Sequence, residues 1–246
     1  MSIAASGQQV HSIGLMIGLP LADRADPTAS TPRAVTPEWA LSLACQSYPP
    51  NVNVKFYPVR GKDSGIARNE IARGALQSES KYLLFIDDDV AVPFFTVRKL
   101  IYELEQHPEV SVIGGIYTTK TIPSEPLVFR GNGTGSFWEW KQGDVFEVTG
   151  IATGCMMIRT EVFKKIEEPW FLNYDHQILS PRGEVINDTG TDDLYFCKKI
   201  TDAGMKILAD GNVICVHWDT EKGVPYCLSE TSYPMRKNGN GDKPSD

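Results

Sequence analysis

The chain is predicted to fold as an α/β protein, and three observations predict it. Apolar runs of strand length alternate with helical patterns along most of the chain, the signature of a layered sheet with covering helices. With 246 residues, 41% hydrophobic and 22% charged, it has the composition of a soluble globular protein with one large α/β domain or two small ones. The most apolar of the runs, Tyr82–Ile86, leads directly into Asp87-Asp88-Asp89. Ligands of α/β proteins gather at such carboxyl ends of strands.

Taken in order, Ile13–Leu19 reads as the first strand, ending at Pro20, followed by a polar loop over Leu21–Thr36. Pro37 is suited to the first turn of a helix running to about Ser47. Val52–Val59 alternates as a second strand, and Ser64 is placed to cap a helix from Gly65 to about Gln77. Lys81–Ile86 is the acidic-ended strand, Phe94–Gln106 a helix and Ser111–Tyr117 a further strand.

From Thr121 to Val148 the character changes, with Pro123, Pro126, a glycine-rich run and the aromatics Phe137, Trp138 and Trp140. Leu127–Phe129 and Asp144–Val148 are expected to form hairpin strands around that loop. Gly154–Arg159 reads as a buried strand, Glu161–Lys165 as a short helix and Leu172–Asp188 as a loop. Asp192–Ala203 is an amphipathic helix stopped by Gly204. Lys206–Leu208 and Val213–Val216 are expected to close the sheet, and Ser229–Asp246 to form a flexible tail. The organised region is thus expected over residues 1–228, with halves at about 12–120 and 121–228.

Several function classes drop out. Asp plus Glu outnumber Lys plus Arg by 31 to 24, a formal charge of −7, so the chain is not built to coat nucleic acid. No apolar stretch reaches the roughly 18 residues of an integral membrane segment, and Met1–His11 lacks the basic residues of a signal peptide. Five cysteines at 45, 155, 197, 215 and 227 form no CxxC pair, which fits free thiols and a cytoplasmic location.

Three adjacent carboxylates repel one another and require a compensating charge. A hard divalent cation is a natural choice, and a solvated turn without ligand is the alternative. Strand alternation places Asp87 and Asp89 on one side and Asp88 on the other. Asp192 and Asp193 stand at a helix start, either as ordinary first-turn acids or with one acting as general base. His217 follows a strand, as a structural histidine or as a ligand that favours Mn2+. Arg68, near a helix start, is a surface residue or an anion holder. Gly150–Gly154 is either plain strand entry or a site of close backbone approach.

In succession, Ala67-Arg68-Asn69, Asp87–Asp89, Thr153–Arg159, Glu168–Phe171, Gly190–Phe196, Ala203-Gly204 and Val216-His217 resemble nucleotide-sugar-dependent glycosyltransferases of GT-A fold. The resemblance is closest to the large family 2 of inverting enzymes and covers about Ile13 to Trp218. It implies a GT-A-type Rossmann-like mixed sheet in a single domain. It also implies a UDP- or GDP-linked sugar donor contacted by Pro20, Arg68, Asp87 and Asp88, and an Mn2+ or Mg2+ ion on Asp87, Asp89 and His217. The family's Glu-Asp pair aligns with Asp192-Asp193, which implies Asp193 as the base, with Asp192 replacing the family's Glu. The Asp-Asp-Gly-Ser-like turn after the second strand is missing, and Arg60 and Asp63 are the candidates to read the base in its place. The acceptor, whether carbohydrate, lipid-linked or protein, is expected near Trp138, Trp140, Gly154 and Trp170.

Two further readings compete. A sugar-nucleotide pyrophosphorylase needs a glycine-rich basic loop after the first strand, which Gly18–Arg24 does not provide. A protein that binds nucleotide-sugar or carbohydrate without turnover shares every motif named above.

Overall fold

In the computed structural model, which describes residues 12–22, 35–131, 135–179 and 185–228, Ile13–Leu21 (β1) is the first strand. After it come a helix, Pro37–Ala44 (α1), an edge strand, Val52–Arg60 (β2), and a second helix, Ser64–Gln77 (α2). β1 pairs in parallel with β2 on one side and with Tyr82–Ile86 (β3) on the other. The edge position of β2 explains how Pro58, which has no N–H to donate, is accommodated. Val90–Ala91 (β4), Thr96–Gln106 (α3) and Val110–Ile116 (β5) follow.

The remaining elements are Val128–Phe129 (β6), Val145–Val148 (β7), Gly150–Ile151 (β8), Cys155–Arg159 (β9), a short 3-10 turn at Thr160–Lys164, Tyr174–Leu179 (β10) and Val185–Gly190 (β11). Asp192–Asp202 (α4), Lys206–Ile214 (β12), Val216–Asp219 (β13) and Val224–Tyr226 (β14) complete the fold.

Seven strands form the central sheet in the order β2-β1-β3-β9-β5-β12-β7. β9 runs antiparallel to both β3 and β5, and β7 antiparallel to β12, while the other neighbours are parallel. Strands from both sides of residue 120 therefore share one sheet. β3 is fully buried because helices cover both faces, which is why its sequence is apolar throughout. Leu83 and Phe85 pack into one core with Ile71 of α2, Phe171 and Phe196 of α4. Tyr82, Leu84 and Ile86 pack into the other with Trp39 of α1 and Leu100 and Leu104 of α3. The strand's carboxyl end is thus held from both faces.

Three expected elements differ. Leu127–Phe129 and Asp144–Val148 do not form a hairpin with each other: β6 pairs with β8, and β7 with the edge of the main sheet at β12. The segment read as a loop over Leu172–Asp188 holds the ribbon of β10 and β11. Its run of Asp, Asn, Gln and Thr hides the apolar alternation that marks a half-buried strand. Lys206–Leu208 and Val213–Val216 are not separate: β12 passes through Asp210-Gly211-Asn212 with a register shift. The buried Asp210 accepts from the Asn212 backbone N–H at 2.8 Å, which replaces ladder bonds there.

Smaller differences lie at element ends. Asp63, not Ser64, caps α2 by accepting from the Gly65 N–H at 3.0 Å. α1 ends at Ala44 and α3 starts at Thr96. Gly204, at φ 73°, follows α4 as expected. Cys155, Cys197 and Cys215 are buried, Cys45 and Cys227 exposed, and all five are free thiols. The expected tail at 229–246 and most of the loop after β1 lie outside the described residues. No described helix is long and apolar enough to cross a membrane.

Candidate active site

The parallel strands β1, β3 and β5 all end on one side of the sheet, and a cavity of about 250 Å3 lies there. Asp87, Asp88 and Asp89 all line it, together with Asp193, His217 and Arg68. Strand alternation does not separate the three aspartates, because the chain leaves β3 in a turn: the Val90 N–H donates to the Asp87 carbonyl at 3.1 Å. The turn is clamped on every side. The Trp39 indole N–H donates to the Asp87 carbonyl at 2.7 Å, the Trp218 N–H to the Asp89 carbonyl at 2.8 Å, and the Asp87 N–H to the Gly154 carbonyl at 3.2 Å.

Each carboxylate has a distinct partner. One Arg68 amino group, Nη2, donates to both oxygens of Asp87, at 2.7 and 2.9 Å. Asp88 accepts from the Ala22 backbone N–H at 2.9 Å. Asp89 accepts from Lys120 at 2.5 Å, and its other oxygen lies 3.6 Å from Nε2 of His217. Burial works to raise the Asp89 carboxyl, but His217 and Lys120 outweigh it and hold the group well below the ordinary range. Burial raises Asp87, with Asp89 and Asp192 adding to the rise and Arg68 opposing it.

Arg68 is not a surface residue: it is 5% exposed, and its second amino group donates to Asp192. The Ser64 hydroxyl, at 3.2 Å, also reaches Asp192, whose backbone N–H donates to the Asn173 side chain at 2.9 Å. Asp192 is thereby tied to α2 and is not among the residues lining the cavity. Asp193, one residue on, does line it. Its Oδ1 accepts from the Thr191 hydroxyl and from the Leu194 N–H. Burial pushes the Asp193 carboxyl up, Asp192 adds to this, and Thr191 opposes it.

His217 is positioned by three contacts. Its Nδ1 lies 2.7 Å from the Thr118 carbonyl, which fixes the ring with Nε2 facing Asp89. Its ring meets Tyr117 edge-on at 5.0 Å. The strand carrying it, β13, pairs with β4 immediately after the aspartate turn, with His217 opposite Val90. An imidazole whose far nitrogen is fixed by a carbonyl, beside a carboxylate oxygen, is a donor set that suits a divalent cation. Among the described residues, no three His, Cys, Asp or Glu side chains converge to cage a metal unaided.

Other expected positions fall elsewhere. Pro20 lines the cavity, whereas Arg60 is exposed at the end of β2 and Asp63 is occupied as a helix cap and by Asn173. Trp140 is buried and stacked on Phe146 at 5.6 Å, and Trp170 is buried against Phe163 at 5.0 Å. Neither ring has a face to offer a sugar, because both are needed to fill the core. Trp138 is half-buried. Gly154 lies behind the aspartate turn and not in the cavity lining. A Cβ there would meet the Tyr117 hydroxyl at 2.6 Å and Val90 at 2.8 Å.

Gly154→Ala is therefore expected to destabilise the fold by about 1–3 kcal/mol through overpacking, and to weaken ligand binding at the turn it supports. Urea denaturation checks the first effect. A stability change below about 0.5 kcal/mol, the range of neutral surface changes, would show that the turn gives way freely.

Sequence reasoning missed Lys62, Tyr117 and Lys120 at the site. Of these only Tyr117 carried a local signal, since it ends a buried strand beside the acidic one. The lysines look like any solvated charge until the fold brings Lys120 to Asp89 and Lys62, paired with Glu70, to the cavity lining.

A mixed sheet of this order, with its acidic cavity over the ends of the parallel strands, defines a glycosyltransferase of the GT-A class. A family model described as Glycosyl transferase family 2 matches residues 34–167, more than half of the sequence. The chain belongs to that family. Among solved structures it is similar to A197 from STIV, at 17% identity over 89% of this chain and 95% of that one, with a TM-score of 0.56, a likeness of fold. Weaker likenesses, which carry no weight here, are to residues 1–349 of S. aureus TarS in complex with UDP-GlcNAc and to a UDP-glucose pyrophosphorylase complexed with UDP-glucose. The TarS fragment is 16% identical over 81% of this chain and 56% of that one, at TM-score 0.46. The pyrophosphorylase is 12% identical over 90% and 96%, at TM-score 0.47. No curated protein matches the chain.

Proposed function

We propose that the chain transfers a sugar from a nucleoside-diphosphate donor to an acceptor hydroxyl with inversion, and that Asp193 is the general base. The observation that supports this most is the division of labour between Asp192 and Asp193. The first is consumed by Arg68 and Ser64, while the second faces the same cavity as the aspartate turn with a raised carboxyl pKa. Family membership supports the nucleotide-sugar donor.

In this reading the acceptor oxygen attacks the anomeric carbon and Asp193 takes its proton. The new carbon–oxygen bond forms as the bond to the β-phosphate oxygen breaks, and the diphosphate leaves with that electron pair. Asp89 and His217 would hold an Mn2+ or Mg2+ ion, which would supply charge stabilisation to the departing diphosphate. Arg68 holds Asp87 in place and opposes the rise that burial gives its carboxyl, and the clamped turn holds Asp88 and Asp89 in place before donor arrives.

The direct test is a thermal-shift screen of UDP, GDP and their sugar conjugates with Mn2+, Mg2+ or EDTA. A ligand at about 100 times its Kd stabilises the native state by about 2.7 kcal/mol. A shift confined to one nucleotide and removed by EDTA is the expected result. No shift with any nucleotide sinks the donor site and favours a protein that binds carbohydrate alone.

A pH profile tests the base separately. Asp193 must be ionised to accept a proton, so the rate falls as pH drops through its pKa. Because burial raises that pKa above the ordinary 3.8, the acid limb of kcat is expected above the usual carboxylate range. A limb at or below that range, or one that persists unchanged in Asp193→Asn, assigns the titration to another group.

A further inference from the structure

Lys120 has no part in the mechanism as drawn, yet it makes a short contact with Asp89. Its ammonium lies 2.5 Å from Oδ2 of that carboxylate, while Nε2 of His217 lies 3.6 Å from Oδ1. Asp89 is thus straddled, with a cation already seated on one oxygen. The two basic residues bonded in the turn differ in freedom. The Arg68 side chain is 7% exposed and locked between two carboxylates, whereas that of Lys120 is 27% exposed and makes its ion pair with Asp89.

The backbone beneath Lys120 is anchored. The Leu127 N–H donates to the Tyr117 carbonyl at 2.9 Å and the Thr119 N–H to the Glu125 carbonyl at 2.8 Å. The Thr118 carbonyl of the same segment fixes His217. Lys120 can therefore leave Asp89 by rotating its own side chain, with the ligand geometry undisturbed. A divalent cation and an ammonium on one carboxylate repel each other, so each occupies Asp89 at the other's expense.

We propose that Lys120 is a resident counter-ion that competes with the divalent cation for Asp89 and so couples metal uptake to donor binding. This rests on the reading of Asp89 and His217 as a metal site. Metal arriving alone must displace the ammonium into solvent. Metal arriving with a diphosphate leaves the freed ammonium beside a new anion. The two ligands then bind cooperatively, and the coupling passes through one side chain.

The test is Mn2+ binding measured by electron paramagnetic resonance on the full chain, without nucleotide and then with UDP. Lys120→Met is expected to tighten Mn2+ binding in the absence of nucleotide by about 10-fold and to reduce the further tightening by UDP, within the usual range of coupling. Lys120→Gln should behave as Lys120→Met, and Lys120→Arg, which keeps a cation, as the parent. Asp89→Asn should abolish the gain seen in Lys120→Met. Mn2+ binding by Lys120→Met and Lys120→Gln that is equal to or weaker than the parent's overturns the proposal and leaves the metal site standing. No Mn2+ binding in any of the proteins, with or without UDP, overturns the metal site and the proposal with it.

Discussion

Asp193→Asn is expected to lower the rate of sugar transfer by about 1,000-fold, within the usual 10²–10⁴ contribution of a positioned base. The substitution keeps the shape of the side chain and an acceptor oxygen for the Leu194 N–H. Nucleotide affinity should change by no more than a few fold, because the proposed donor site is the aspartate turn and not α4. The loss is therefore expected in kcat at saturating donor, the pattern of an interaction made only in the transition state. Asp192→Asn supplies the contrast. That side chain is bound by Arg68 and Ser64, so its loss should act mainly on stability. Single-turnover transfer with radiolabelled donor measures both variants. If Asp193→Asn transfers sugar at the parent rate, the base lies elsewhere and the pair at the start of α4 is structural throughout.

The largest effect on stability is expected from Arg68. Its guanidinium is the shared partner of Asp87 and Asp192, and all three groups are largely removed from water. Removing one partner of a buried ion pair leaves uncompensated charge at a loss of about 3–5 kcal/mol. For a chain of this size that is a fall of about 6–20 °C in Tm. Arg68→Lys should recover little, because a single ammonium cannot place one nitrogen on Asp87 and another on Asp192 at once. The defect has a predictable pH dependence. Arg68 opposes the rise that burial gives the Asp87 carboxyl; without it that carboxyl rises further, so acidification protonates it and the gap between parent and Arg68→Met narrows as pH falls. Double-mutant cycles of Arg68→Met with Asp192→Asn should show coupling well above 0.5 kcal/mol, as for residues in contact. Additive effects would mean that Arg68 stabilises through its packing alone.

The fold was legible where chemistry is local. A fully apolar β3 announces a strand covered on both faces, Pro37 and Gly204 mark helix ends, and the order of motifs carries the family. What stayed hidden depends on pairing at a distance. Nothing in Val145–Val148 says that it joins β12 and not β6, because strand partners are chosen by the sheet that is already built. The ribbon of β10 and β11 mixes Ile178, Leu179, Val185 and Ile186 with Asp, His, Gln, Asn and Thr, so its backbone pairing leaves no regular alternation in the sequence. The same holds at the site. The aspartates declare themselves by mutual repulsion and Arg68 by its place near a helix start, but Lys120 is an ordinary base until folding places it on Asp89. Trp140 and Trp170 are buried in the core, a placement their sequence context leaves open.

The pairing of β13 with β4 has a consequence for how such a site changes over evolutionary time. Asp89 and His217 are 128 positions apart, as their numbers give, yet their spacing is fixed by adjacent rungs of one short antiparallel ladder. Substitutions along the rungs leave backbone register intact, so Val90, Ala91 and Val216 are free to drift among residues of similar bulk. Losing or gaining a single residue in β13 is different. Because side chains alternate, a slip of one position turns the imidazole to the opposite face and brings Trp218 to its place. The segment from Val216 to Asp219 should therefore tolerate many spellings but only one length.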